Sequence, residues 1–262
     1  MSSLWKIASF NINSVRIRMT DLLQWLEREA PAIVGLQETK VQDADFPLEP
    51  LTQAGYHVAF RGEKGKNGVA ILSREKPLAI SFGLDEWGLP GEARLIAARF
   101  AAFSVINTYV PQGREPGTDY FQYKLQWLRH MKDYCSRHYQ PDQPLIWLGD
   151  FNVAPQPLDI YDPDRLLGRV GYHPEEHAAL EEVKEWGFVD VFRRHVPEKG
   201  HYTFWDYRVK NALERGLGWR IDHIWATEAL AARSSGAVID TSLRRLPRPS
   251  DHTPIMATFT LD

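Results

Sequence analysis

Cysteine is the scarcest residue: Cys135 stands alone among 262 positions. One thiol forms no internal disulfide and builds no Cys-based zinc site. It fits a reducing compartment, so a cytoplasmic or other intracellular setting is expected. No run approaches the roughly 20 apolar residues of a membrane span, so no membrane partner is expected. The opening Met1-Ser-Ser-Leu-Trp-Lys lacks a basic segment followed by an apolar one, so no targeting leader is expected. Positive charge is not in excess, with 31 Lys plus Arg against 34 Asp plus Glu. Residues 171–190 hold six acids (Glu175, Glu176, Glu181, Glu182, Glu185, Asp190) against Lys184, a local net of −5, so the other residues sum to −3 + 5 = +2. An anion-binding face is therefore compatible with the composition, though not required by it.

Aromatics, by contrast, are plentiful: nine Trp, ten Tyr and twelve Phe must fill a core or stack on something. Strand-like runs cover Trp5–Asn11, Ala32–Gln37, Gly68–Ser73, Leu95–Phe100, Phe103–Tyr109, Leu145–Leu148, Arg220–Trp225 and Thr253–Thr260. Helices are expected over Met19–Glu29, Thr118–His138 and Pro174–Trp186; in the second, Phe121, Leu125, Leu128 and Met131 recur at helical spacing. Lys66-Asn67-Gly68 reads as a hairpin turn. With no linker or composition break, one domain over residues 1–262 is expected, an α/β or α+β sandwich of mixed strands with helices outside.

Acids and amides gather at the ends of these runs. Glu38 closes Ala-Ile-Val-Gly-Leu-Gln, Asp150 closes Pro-Leu-Ile-Trp-Leu-Gly, Asp222 sits within Arg-Ile-Asp-His-Ile-Trp, and Asp251-His252 opens the last strand. A strand ends in Phe10-Asn11-Ile12-Asn13 and another in Asp150-Phe151-Asn152, each pair of polar groups pointing one way. A single such acid would be a cap or turn residue; several together, with amides and little His, are hard oxygen ligands suited to Mg²⁺ or Mn²⁺. A hard ion beside a free His points to phosphate chemistry. Asp150 with Asn152 is the best water-handling pair. His252 needs a carboxylate to fix its tautomer, and Asp222 suits it better than Asp251, which as a strand neighbour would face away. Tyr109 either donates to a phosphate or packs; His223 reads as an ordinary surface or core residue.

The segments Phe10-Asn11-Ile12-Asn13, Leu36-Gln37-Glu38-Thr39-Lys40, Tyr109-Val110-Pro111-Gln112, Gly149-Asp150-Phe151-Asn152, Gly218-Trp219-Arg220-Ile221-Asp222 and Ser250-Asp251-His252-Thr253-Pro254 together resemble the exonuclease III branch of abasic-site endonucleases. The resemblance implies a four-layer α/β sandwich, two mixed sheets face to face with helices outside. It implies Mg²⁺-dependent cleavage of duplex DNA 5′ to abasic sites, 3′→5′ exonuclease action and removal of blocked 3′ ends, by a monomer, nucleoid-associated if the source is a prokaryote. By motif, Asn11, Glu38, Asp150, Asn152, Asp251 and His252 would form the metal site. Asp150 would be general acid/base, Asn152 would hold water, His252 with Asp222 would bind phosphate, and Tyr109 would assist the scissile oxygen. Phe204, Trp219 and Ile221 would form the apolar pocket for a base-free sugar, while Asn13, Gln112 and Arg220 would touch substrate.

The run from His201 to Arg220 interleaves aromatic and basic residues, as a surface that stacks on unpaired nucleotides and contacts phosphates does. The rival reading is a metal-dependent phosphodiesterase or phosphatase of the same fold acting on lipid or small-molecule phosphates. A catalytically dead nucleic-acid binder would have lost Asp150, Asn152, Asp222 or His252, and all four are present. Residues 153–172 read only as a loop.

Overall fold

A computed structural model of the chain describes residues 3–89 and 91–261. In chain order the elements are β1 (Ser3–Asn11), α1 (Met19–Glu29), β2 (Ile33–Gln37), α2 (Leu48–Gln53), β3 (His57–Glu63), β4 (Lys66–Ser73), β5 (Ala79–Phe82), β6 (Leu95–Arg99) and β7 (Ser104–Tyr109). They continue with α3 (Asp119–His138), β8 (Leu145–Asp150), α4 (Pro163–Leu166), α5 (Pro174–Lys184), β9 (Phe188–Asp190), α6 (Val191–His195), β10 (Asp222–Thr227), α7 (Glu228–Ala231), β11 (Ser234–Ile239) and β12 (Ile255–Leu261). None of these helices is long and apolar enough to cross a membrane.

The strands form two six-stranded sheets, ordered β11-β12-β1-β2-β4-β3 and β5-β6-β7-β8-β10-β9. Each sheet is antiparallel except for one central parallel pair, β1 with β2 and β7 with β8. Ile7, Ile33 and Ile71 of one sheet face Ile96, Val105, Ile146 and Ile224 of the other in a shared core. On the outer face of the first sheet, Leu22, Trp25 and Leu26 of α1 cover Val34, Leu36 and Ala70. Phe121, Leu125, Leu128 and Met131 of α3 and Leu180 and Val183 of α5 cover Ile106, Trp147 and Trp225 of the second. The result is the expected sandwich of four layers. Removing this apolar surface from water, at about 25 cal/mol per Å², is the main force holding the layers together.

Two parallel pairs fix where polar strand ends collect. β1 and β2 end at Asn11 and Gln37; β7 and β8 end at Tyr109 and Asp150. β10 runs antiparallel to β8, so its first residue, Asp222, lies opposite Asp150. β12 runs antiparallel to β1, with Ser9 opposite Ile255, so the preceding Ser250-Asp251-His252 reaches the same end. Beneath that end, Gln37 Nε2 donates to Asn107 Oδ1 at 2.6 Å, and Asn107 Nδ2 donates to Leu36 O and Ala70 O, stitching the sheets together.

Two local expectations change. The third helix stops at Lys184 rather than Trp186. The hairpin between β3 and β4 turns at Lys64-Gly65, two residues before the expected Lys66-Asn67-Gly68. Gly65 takes the positive φ there, at 74°, while Asn67 and Gly68 lie within β4 and accept from the main-chain N–H groups of Lys40 and Thr39. At Gly68 a Cβ would stand 2.1 Å from Thr39 Oγ1, so only glycine lets the Glu38 turn approach this closely.

Candidate active site

Asn11 is fully buried at the end of β1, and its Nδ2 donates to Glu38 Oε1 and to Asp150 Oδ2, both at 2.8 Å. One amide therefore fixes carboxylates from two different sheets. Glu38 has φ 51°, a left-handed conformation that a glutamate rarely adopts, and it turns the chain out of β2. Burial presses the Glu38 carboxyl upward, but the Lys40 ammonium at 2.7 Å and the Asn11 amide outweigh it and hold the group below its ordinary value. Burial drives Asp150 up to about 7; His252 and Asn11 oppose this, and the neighbouring Asp222 and Glu38 charges add to it.

His252 Nδ1 lies 2.8 Å from Asp222 Oδ2, and its Nε2 lies 3.8 Å from Asp150 Oδ2. Burial alone would lower the imidazole, yet the Asp222 and Asp150 carboxylates raise it to about 10. His252 is thus an imidazolium clamped by Asp222, the pairing expected from strand geometry. Tyr109 is pushed well above its ordinary value by burial, then by the Glu38 and Asp150 charges, so its phenol stays protonated. The Arg94 guanidinium lies 4.8 Å from its ring centroid. Asn152, at φ 54°, donates its main-chain N–H to Asp150 Oδ1 at 2.9 Å and its Nδ2 to Val110 O at 2.9 Å.

Glu38, Asp150 and His252 each offer one ligand atom within 4.8 Å of the others. The chemistry of the set fits a hard divalent cation: three buried or partly buried carboxylates, including Asp222, crowd together, and two of them offer oxygen to the cluster. In its imidazolium form His252 donates and does not ligate. Asp251 does not join the cluster as expected; its Oδ1 accepts from Asn13 Nδ2 at 2.9 Å, and Asn13 Oδ1 in turn accepts from Lys40.

The apolar residues also meet. Phe204 bridges Trp219 on one side and His252 on the other, and its ring centroid lies 4.9 Å from the imidazole. Half-buried Phe204 and Trp219 join Ile221, Ile160, Tyr172 and Ala154 in one cluster. Gln112 is exposed, and its Oε1 accepts from the Arg114 N–H. Arg220, expected to touch substrate, does not reach a surface. It is fully buried, bonded to both oxygens of Asp159 and of Asp190, and beside His223 Nδ1 at 2.9 Å. Its charge is consumed by two acids, one in the stretch read only as a loop. That stretch holds a short turn, Pro157–Asp159, and α4, and Asp159 is its buried anchor.

Fold and site together define a class: a two-sheet α/β sandwich with a carboxylate, amide and imidazolium centre at the ends of its parallel strands. The chain belongs to the endonuclease/exonuclease/phosphatase family, whose profile matches residues 8–252. Over 266 aligned residues it is 34% identical to the exodeoxyribonuclease III of Haemophilus influenzae, covering 97% of this chain and 99% of that protein. An AP endonuclease from Archaeoglobus fulgidus superposes with a TM-score of 0.94 at 46% identity, over 97% of this chain and 99% of that one. A 3′ phosphatase from Neisseria, solved with a product DNA hairpin, superposes at 0.91 with 34% identity, over 97% and 99% of the two chains.

Proposed function

We propose that this chain is a DNA-repair nuclease that hydrolyses the phosphodiester 5′ to an abasic site in duplex DNA, with 3′→5′ exonuclease and 3′-end cleaning activity. The observation that carries the reading is the contact of the Phe204 ring with His252, which sets the apolar Phe204–Trp219–Ile221 cluster directly against the residue that would bind phosphate. A base-free sugar swung out of the duplex is small and has no base edge to read, and such a pocket suits it. The names of the relatives agree with this reading.

Glu38 and Asp150, spaced by Asn11, would hold Mg²⁺, with Mn²⁺ as a substitute. When bound, the ion neutralises phosphate charge and polarises the phosphoryl oxygens. Asp150, near 7, accepts the proton of the attacking water while Asn152 orients it. The His252 imidazolium, held by Asp222, donates to a phosphate oxygen as negative charge develops. The protonated Tyr109 donates to the scissile or leaving oxygen. Phe204, Trp219 and Ile221 enclose the sugar.

A labelled duplex with one abasic site tests the reading. Mg²⁺ should give a single scission at that site, excess EDTA should abolish it, and added Mg²⁺ should restore it. An intact abasic strand alongside hydrolysis of inositol phosphates would replace DNA with small phosphoesters as the substrate.

A further inference from the structure

Lys124 of α3 and Glu176 of α5 form an ion pair that solvent does not reach, with both side chains 0% exposed and Nζ 2.5 Å from Oε1. Stability alone explains such a pair poorly, because apolar side chains of similar volume often serve as well or better. Its remaining hydrogen bonds go to the loops around the site. Lys124 Nζ donates to Asn152 O at 2.8 Å and to Gln112 O at 3.3 Å. Glu176 Oε2 accepts the Gly171 N–H at 2.7 Å. Gly171 lies under the pocket wall, where a Cβ would come within 3.3 Å of the Trp219 ring. Two outer helices thus hold three separate loops through one buried pair.

That hold completes the fixing of Asn152, whose φ of 54° lies in the left-handed region that Asn enters more readily than other residues with a side chain. Asp150 takes its N–H and Val110 takes its amide, so Lys124 supplies the bond to its carbonyl.

We propose that Lys124, fixed by Glu176, is a positioning residue that keeps Asn152 aligned with Asp150, while Glu176 through Gly171 sets the Trp219 wall. This rests on the reading of Asp150 and Asn152 as the water-handling pair of a nuclease. Neither Lys124 nor Glu176 touches the reacting atoms; both act through the loops they hold. A displacement of about 1 Å at a reacting centre costs roughly 10²-fold in rate, which sets the size of the expected effect.

The test is the double variant Lys124→Met/Glu176→Gln, which is neutral and nearly isosteric and leaves Gln an oxygen for Gly171 N–H. Melting temperature, kcat and KM on the abasic duplex are compared with wild type. The expected result is a Tm within a few degrees, kcat lower by roughly 10²-fold and KM within about threefold. A folded double variant with kcat within about threefold of wild type overturns the proposal. Should the double variant not fold, Glu176→Gln alone decides. Lys124 then keeps its carbonyl acceptors but loses the anion that fixes it, so kcat should fall more than threefold at a temperature where the variant is fully folded, and a kcat within about threefold of wild type overturns the proposal. Wild-type scission reads the nuclease assignment separately. If wild type leaves the duplex uncut, amide exchange replaces turnover. Faster exchange at Asn152 and Gly171 with no change at Leu128 in α3 supports the positioning role, and a uniform change overturns it.

Discussion

Burial beside Asp222 and Glu38 puts Asp150 near 7, which suits the general-base role proposed for it at neutral pH. Asp150→Asn keeps the shape and removes the acceptor. We expect kcat to fall roughly 10²–10⁴-fold, while duplex affinity at fixed salt changes far less, as single-turnover cleavage and equilibrium binding would show. His252 and Asp222 share one proton and one hydrogen bond. Their Ala variants should therefore be strongly non-additive, the double variant losing little more than the worse single one; steady-state kinetics on all four proteins measures this, and additive losses would separate the two roles. These acids were legible because each interrupts or ends an apolar run. Arg220 was misread because an arginine beside aromatics looks like a phosphate contact, and its partners Asp159 and Asp190 lie 61 and 30 residues away. Lys124 and Glu176 left a fainter trace. Each is a charge on an otherwise buried helical stripe, Lys124 among Phe121, Leu125 and Leu128, Glu176 among Ala179, Leu180 and Val183.

Among elements, the eight strand runs read from the sequence are the interior strands of the two sheets. β3, β11, β5 and β9, which went unread, are the four edges. Interior strands such as β2 and β8 are buried at every residue and read as continuous apolar runs. An edge strand such as β5 is largely exposed and carries no such run, so periodicity alone does not separate it from a loop. Under the proposed function, specificity rests on Phe204 and Trp219, which pair across a short bridge separate from the strands that bring in Glu38 and Asp150. Truncating both to Ala should lower the ratio of kcat/KM for abasic over intact duplex while Mg²⁺-dependent cleavage persists. An unchanged ratio in a folded variant would return both rings to packing alone.

At the scale of the whole molecule, the buried Arg220 network holds an acid-sensitive group, His223. Burial, reinforced by the Arg220 charge, lowers His223 from 6.5 to about 4, and Asp159 is held below its ordinary value because Arg220 and Arg193 outweigh its burial. Both folded values are depressed, so both contributions are present at higher pH and lost on acidification. The His223 contribution, about 3 kcal/mol from its shift, is complete above pH 6.5 and disappears as pH falls toward 4. Asp159 adds a further loss below the ordinary carboxylate range. Asp150, raised to about 7, takes up its proton in the folded state across the same window and acts in the opposite sense, so the His223 effect is read as a difference: the urea midpoint of wild type relative to His223→Gln should fall as pH drops from 6.5 to 4.

Sheet order also dictates a timetable for a chain emerging from the ribosome. The sheet built from β5 to β10 is drawn from one continuous stretch, residues 79–227, and can close on itself during synthesis. Its partner must wait, because β1 finds its neighbour β12 only after some 250 residues have been made, with Ser3 opposite Leu261. Until then β1 and β2 lack the antiparallel flank on one side, and His252, the last of the clustered groups to be synthesised, has not met Asp222. A nascent chain therefore carries Glu38 and Asp150 together for about 100 residues of synthesis without the imidazolium that completes them. The His252–Asp222 pair forms only with the approach to the final strand.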